Sequence, residues 1–113
     1  MDNMTVYLKN KVLDQELQSV HVGLFNGEVE VATASYVRKP TTFTPASEGQ
    51  TSNGADILFP IATESWGEIT HIGIFDTSTG GNLLFKSNAE FVKTIDISSQ
   101  YKIPKNYLIV RLR

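Results

Sequence analysis

Apolar and polar positions change their period once along the chain, near Ser19. From Met4 to Leu17 the apolar residues fall at 4, 8 and 12 and at 6, 13 and 17. Spacings of four and seven gather them into one stripe of a helix. Lys9, Lys11, Asp14 and Gln15 take the other face. The pattern predicts a helix over about residues 4–17, capped by Asn3 or Thr5. Such a helix covers an open sheet end or docks into a partner.

From Ser19 onward the period is two. Val20, Val22 and Leu24 alternate with Ser19, His21 and Gly23, as on a half-buried strand. Asn26-Gly27 follows, a strong hairpin signal, and Glu28 to Val31 alternates again, so residues 20–32 read as a hairpin. Tyr36 to Phe43 is rich in β-formers but holds Pro40, which places it at an edge or a bulge. Thr44 to Gly54 reads as a surface loop of Ser, Thr, Gly, Pro and Asn. Further strands are expected over 55–60, 69–75, 82–86, 91–97 and 107–112, with a glycine-rich turn at 76–81. Short strands divided by polar turns predict an all-β fold: an antiparallel, jelly-roll-like β-sandwich of seven to nine strands with one N-terminal helix. The core on this reading is Val22, Leu24, Ile57, Phe59, Ile72, Ile74, Leu84, Ile95, Leu108 and Val110.

Two strands match each other. His21-Val22-Gly23-Leu24-Phe25-Asn26 resembles His71-Ile72-Gly73-Ile74-Phe75-Asp76. Glycine within a strand lets a backbone or ring approach closely. The match predicts two core strands with the same gap; the sharper reading pairs them at the sandwich centre or makes them halves of a duplication.

Length and composition narrow the class. The chain has 113 residues and no cysteine, so one domain over 1–113 is expected and disulfide, thiolate-zinc and thiol chemistry are excluded. A fold of this size exposes about 6,200 Å². The net charge of −2 does not suggest a nucleic-acid partner. The charged share, 19%, is below the ordinary ~25%, which fits a surface partly covered by another chain. Apolar runs are too short to span a membrane. Met1 to Thr5 lacks the order of a signal peptide.

Candidate chemistry is sparse. His21 and His71 have no ligand spacing, so no metal or other cofactor is expected within one subunit; histidines meeting on an oligomer axis would be the exception. No G-x-S-x-G occurs, and Gly80-Gly81-Asn82 opens a strand, unlike a phosphate loop. Glu28 and Glu30 read as solvated strand residues, and Asp56 likewise. No nucleophile, base and oxyanion donor come together, so no catalytic residue is assigned and no enzyme is expected. Trp66 either plugs one end of the sandwich or, with Tyr36 and Tyr101, contacts a glycan or partner. Phe25, Phe75, Phe85, Tyr107 and Ile109 make the second face of several strands apolar, and a patch of that kind marks an interface unless the helix covers it.

The densest motif string lies between residues 52 and 85: Ser52 to Pro60, Ala62-Thr63, Trp66 to Asp76, and Gly80 to Phe85. With Val12-Leu13-Asp14, Val20 to Phe25, Tyr36-Val37-Arg38 and Thr42-Phe43 upstream, it resembles a family of small phage virion proteins labelled tail or tail-fibre proteins. The resemblance covers roughly residues 6–113. Where that family carries a longer Gly- and Asp-rich loop after its first strand, this chain has only Asn26-Gly27 and the strand from Glu28 to Val31.

The resemblance implies a structural virion component of the tail or baseplate, assembled in the host cytoplasm, with other virion proteins as partners. It also implies a role in host adsorption and a homo-oligomer, taken as a trimer; host glycan as a candidate ligand rests on Trp66 and the tyrosines. It supplies no catalytic residue. The alternative class is a non-catalytic carbohydrate-binding module, resting on Trp66 and the tyrosines.

Overall fold

The computed structural model describes residues 4–112. Asn3, one of the two candidate caps, lies outside them, and Thr5 is the observed cap: its Oγ1 accepts from Leu8 N at 3.2 Å. In chain order the described elements are α1 (Val6–Glu16), β1 (Val20–Asn26), β2 (Val29–Glu30), β3 (Lys39–Thr41), β4 (Gln50–Ser52), β5 (Ile57–Leu58), β6 (Gly67–Phe75), β7 (Leu83–Ile95), β8 (Lys102–Ile103) and β9 (Ile109–Arg111). Every strand pair is antiparallel. The fold is all-β with a single helix, as the periodicity predicts.

The main sheet runs β2-β1-β6-β7, and β3 shares with β2 the outer edge of β1. Two ribbons, β4–β9 and β5–β8, complete the core. Val22 and Leu24 of β1 stand opposite Ile74 and Ile72 of β6, so these four share one face. They join Ile57, Phe59, Ile103, Leu108 and Val110 in one buried cluster. The chain exposes 6564 Å², close to the value expected from its mass.

Several local expectations shift. The hairpin turn is Gly27-Glu28, one residue later than Asn26-Gly27, because Asn26 pairs with Val29. Gly27 takes φ +64°, the left-handed value that a two-residue turn with glycine first requires. Pro40 sits in β3 at the sheet edge, opposite His21, as its missing N–H demands. The Ser/Thr loop contains β4, which pairs with β9. The strands expected over 82–86 and 91–97 are one strand, β7, ending at Ile95.

Nine of the ten expected core residues are buried, and Leu84 is the exception at 36% exposed. The reason is a bulge: one step on β6, from Ile74 to Phe75, spans two on β7, from Phe85 to Leu83. Leu84 is the extra residue and points away from the core, while Phe85 packs against it.

The helix also presents a different face. Leu13 and Leu17 are buried, but Val6 and Leu8 are exposed. Asn10 Oδ1 and Asp14 Oδ1 accept from Gly49 N and Ala46 N, at 2.9 and 2.8 Å, and pin the loop before β4. The polar residues won this face because loop amides need acceptors.

Candidate functional site

The matched strands pair with each other, Gly23 directly opposite Gly73. The flanking pairs are His21 with Phe75 and Phe25 with His71. Each phenylalanine leans diagonally over the other strand's glycine. A Cβ at Gly73 would lie 2.5 Å from Phe25 Cε1, and one at Gly23 would lie 2.9 Å from Phe75 Cε1. The rings stack at 5.9 Å and 8°. Gly73→Ala is therefore expected to cost about 1–3 kcal/mol through overpacking. A urea-unfolding midpoint equal to that of the parent would show that the rings move aside freely.

Phe25 and Phe75 are thus buried, and the helix is not their cover; it packs against β4. Charged side chains lie over them instead. The Arg38 guanidinium sits 3.4 Å from the Phe75 ring centroid, and Lys86 Nζ sits 4.5 Å from that of Phe25. Arg38 forks onto Glu30, Nε to Oε2 at 2.7 Å and Nη2 to Oε1 at 2.8 Å. Its Nη1 donates to Gly80 O at 2.8 Å and to Thr77 O at 3.1 Å, holding the glycine-rich turn. Tyr36 Oη donates to Glu30 Oε2 at 2.6 Å and accepts from Leu24 N at 3.0 Å.

Burial raises the Glu30 pKa, but the bonds from Arg38 and Tyr36 and the Arg38 charge outweigh it, so the net shift is down. Burial and the Glu30 bond push the Tyr36 hydroxyl up. Of the three carboxylates expected to be solvated, Glu28 and Asp56 are exposed but Glu30 is an inward ion-pair partner. No spacing in the sequence announces this, because Glu30 and Arg38 meet only through the folding of β2 and β3 onto one edge of β1.

The candidate glycan residues lie in the interior. Trp66 and Tyr101 are buried and Tyr36 is half-buried. Tyr36 stacks on Phe59 at 6.4 Å and meets Trp66 edge-on at 5.5 Å; Phe59 meets Tyr101 at 6.3 Å. Their faces are turned to one another. Trp66 Nε1 donates to Ser35 Oγ at 3.0 Å, and Tyr101 Oη donates to Phe91 O at 2.6 Å. Burial pushes the Tyr101 hydroxyl up to about 12.

Ser35 Oγ and N both donate to Glu64 Oε1, and Thr63 Oγ1 donates to Oε2. The Ser35 hydroxyl bond first, then the Ser35 amide and Thr63, holds the Glu64 carboxyl down at about 2. A lowered folded-state value gives stability that is complete above the unfolded value, about 4.3, and that fades as pH falls toward 2. Thermal melts of Glu64→Gln and the parent should therefore converge between pH 4.5 and 2. A constant gap across that window would mean the carboxylate contributes nothing by its charge.

The two histidines do not meet. His71 Nδ1 bonds Thr70 Oγ1 at 2.8 Å, and His21 lies at the other end of the paired strands. Among the described residues no group of three His, Asp or Glu could hold a metal ion. No helix among them is long and apolar enough to cross a membrane.

The open surface lies elsewhere, along β7 and β9. A cleft of about 390 Å³ is floored by Ile72, Ile74 and Phe85 and walled by Leu108 to Arg111. A neighbouring one, about 300 Å³, lies between Phe91 and Tyr107, whose rings stack at 5.4 Å. Phe91, Tyr107 and Ile109 are all nearly half exposed. Of the five expected interface residues, Tyr107 and Ile109 are here, Phe85 forms the floor, and Phe25 and Phe75 belong to the other face. Phe91 joins the site unforeseen; alternation along one continuous strand from Phe85 would have placed it there.

A family model described as Podophage GP4 fiber I protein gp80 matches residues 3–111. A comparison with curated proteins finds no match.

Proposed function

The chain belongs to the podophage fiber I protein gp80 family, and from that premise we propose that it is a non-catalytic structural part of the fibre that also contributes to host adsorption. The family makes it a structural virion component of the tail. The observation that carries the reading is the match itself, which runs through nearly the whole described fold.

The geometry supports a non-enzymatic role. The Ser35 hydroxyl, Glu64 and Trp66 serve one another as hydrogen-bond partners, and the Glu30–Arg38–Tyr36 set is spent on covering the paired phenylalanines. Contact with other virion proteins and with copies of itself falls to the open surface along β7 and β9.

Adsorption is tested by competition. Purified protein added in excess to host cells should lower the adsorption rate of the phage in proportion to its concentration. Unchanged adsorption at saturating protein would remove the host-contact part and leave the structural part.

A further inference from the structure

β7 is thirteen residues long and ends the main sheet, with β6 as its one strand partner among the described residues. A long free edge is a template for another strand unless something blunts it. Here the edge borders the two clefts, whose linings mix apolar and polar side chains, and Val92, like Phe91, Tyr107 and Ile109, is exposed beside it. The ladder to β6 is also irregular here: the two steps from Ile69 to His71 span five from Lys93 to Asn88, a shift of register.

The sequence of this edge is complementary to its own reverse. In Leu84-Phe85-Lys86-Ser87-Asn88-Ala89-Glu90-Phe91-Val92, an antiparallel copy centred on Asn88 sets Leu84 opposite Val92, Phe85 opposite Phe91 and Lys86 opposite Glu90. The outer apolar positions meet apolar ones and the lysine position meets the glutamate position, which are favourable cross-strand pairings, while Ser87 next to the centre meets the small Ala89. A two-fold axis demands such self-complementarity.

We infer that two copies of this chain join through β7, antiparallel about a two-fold axis at Asn88, so that their main sheets become one. The occupant of the free edge is the same edge of a second copy. Phe85 and Phe91 both line clefts that contain Ile72, so the pairing brings Phe85 of one copy beside Phe91 of the other and closes those clefts. The three-fold assembly expected from the resemblance would use a contact between different surfaces, whereas a two-fold pairing uses this edge on both sides. The inference deepens the assembly part of the reading above. Its test uses the isolated chain, so failure of the pairing leaves the virion role standing.

Because the chain has no cysteine, a single introduced one reports on symmetry. Facing residues of an antiparallel pair have Cα atoms about 4.5–5.5 Å apart, within disulfide reach. Asn88 is exposed, so Asn88→Cys should fold as the parent does, which its thermal midpoint checks. Under mild oxidation it is expected to form a covalent pair at least ten times faster than Ser47→Cys, a control on an exposed turn. Sedimentation equilibrium of the parent should give a mass near twice 12.5 kDa at micromolar concentration. Equal oxidation rates for the two cysteine variants, or a parent mass of one or three chains, would overturn the pairing.

Discussion

Asn53→Ala is expected to destabilise the protein by about 3–5 kcal/mol, since each buried polar group left unpaired costs roughly 1–3 kcal/mol. Asn53 is fully buried. Its Nδ2 donates to Ala55 O at 2.8 Å and Pro104 O at 2.9 Å, and its Oδ1 accepts from Leu108 N at 2.8 Å. One amide thus satisfies three backbone groups from two distant segments, and it holds the approach to β9 against the loop before β5. No water can replace it without opening the core. Loss on this scale takes a large part of an ordinary domain's 5–15 kcal/mol, roughly stated. Urea unfolding measures it, and a cost below about 1 kcal/mol would mean that the three backbone groups find other partners.

Phe59→Ala is expected to cost about 3–5 kcal/mol, the range for removing a large ring from a core that cannot collapse around the gap. Phe59 is fully buried between Tyr36 and Tyr101, whose rings lie 6.4 and 6.3 Å away. Those neighbours are fixed by their own hydroxyl bonds, Tyr36 to Glu30 and Tyr101 to Phe91 O, so they cannot swing into the space. The same substitution at exposed Phe91 should cost far less. Equal costs at the two positions would show that the ring cluster does not form the interior.

The sequence carried the fold wherever side-chain period alone decides burial. The matched His-x-Gly-x-Phe strands pair face to face with their glycines opposed, as the sharper of the two readings expected. Duplication is not needed to explain them, because each phenylalanine needs the other strand's glycine. Thr5, Pro40 and the Gly27 turn follow from local stereochemistry, with the turn one residue late.

Period failed where the backbone leaves its regular course. The bulge at Leu84 exchanges the faces, which no count of alternation from Asn82 could reveal. β4 was hidden because Gln50-Thr51-Ser52 has loop composition and owes its pairing to β9, sixty residues away in sequence. Exposure was also misjudged for the aromatics. Trp66, Tyr36 and Tyr101 have polar atoms that suit a rim, yet Ser35, Glu30 and Phe91 O supply partners inside. Asn53 gave no sign at all, since an asparagine in a Ser/Thr-rich stretch reads as a turn residue.

The most direct test of the virion role is electron microscopy of purified particles decorated with gold-labelled antibody raised against this chain. The account predicts gold on the fibres of the tail, absent from particles made without the gene. Particles that carry no label while the protein is abundant in the infected lysate would contradict it.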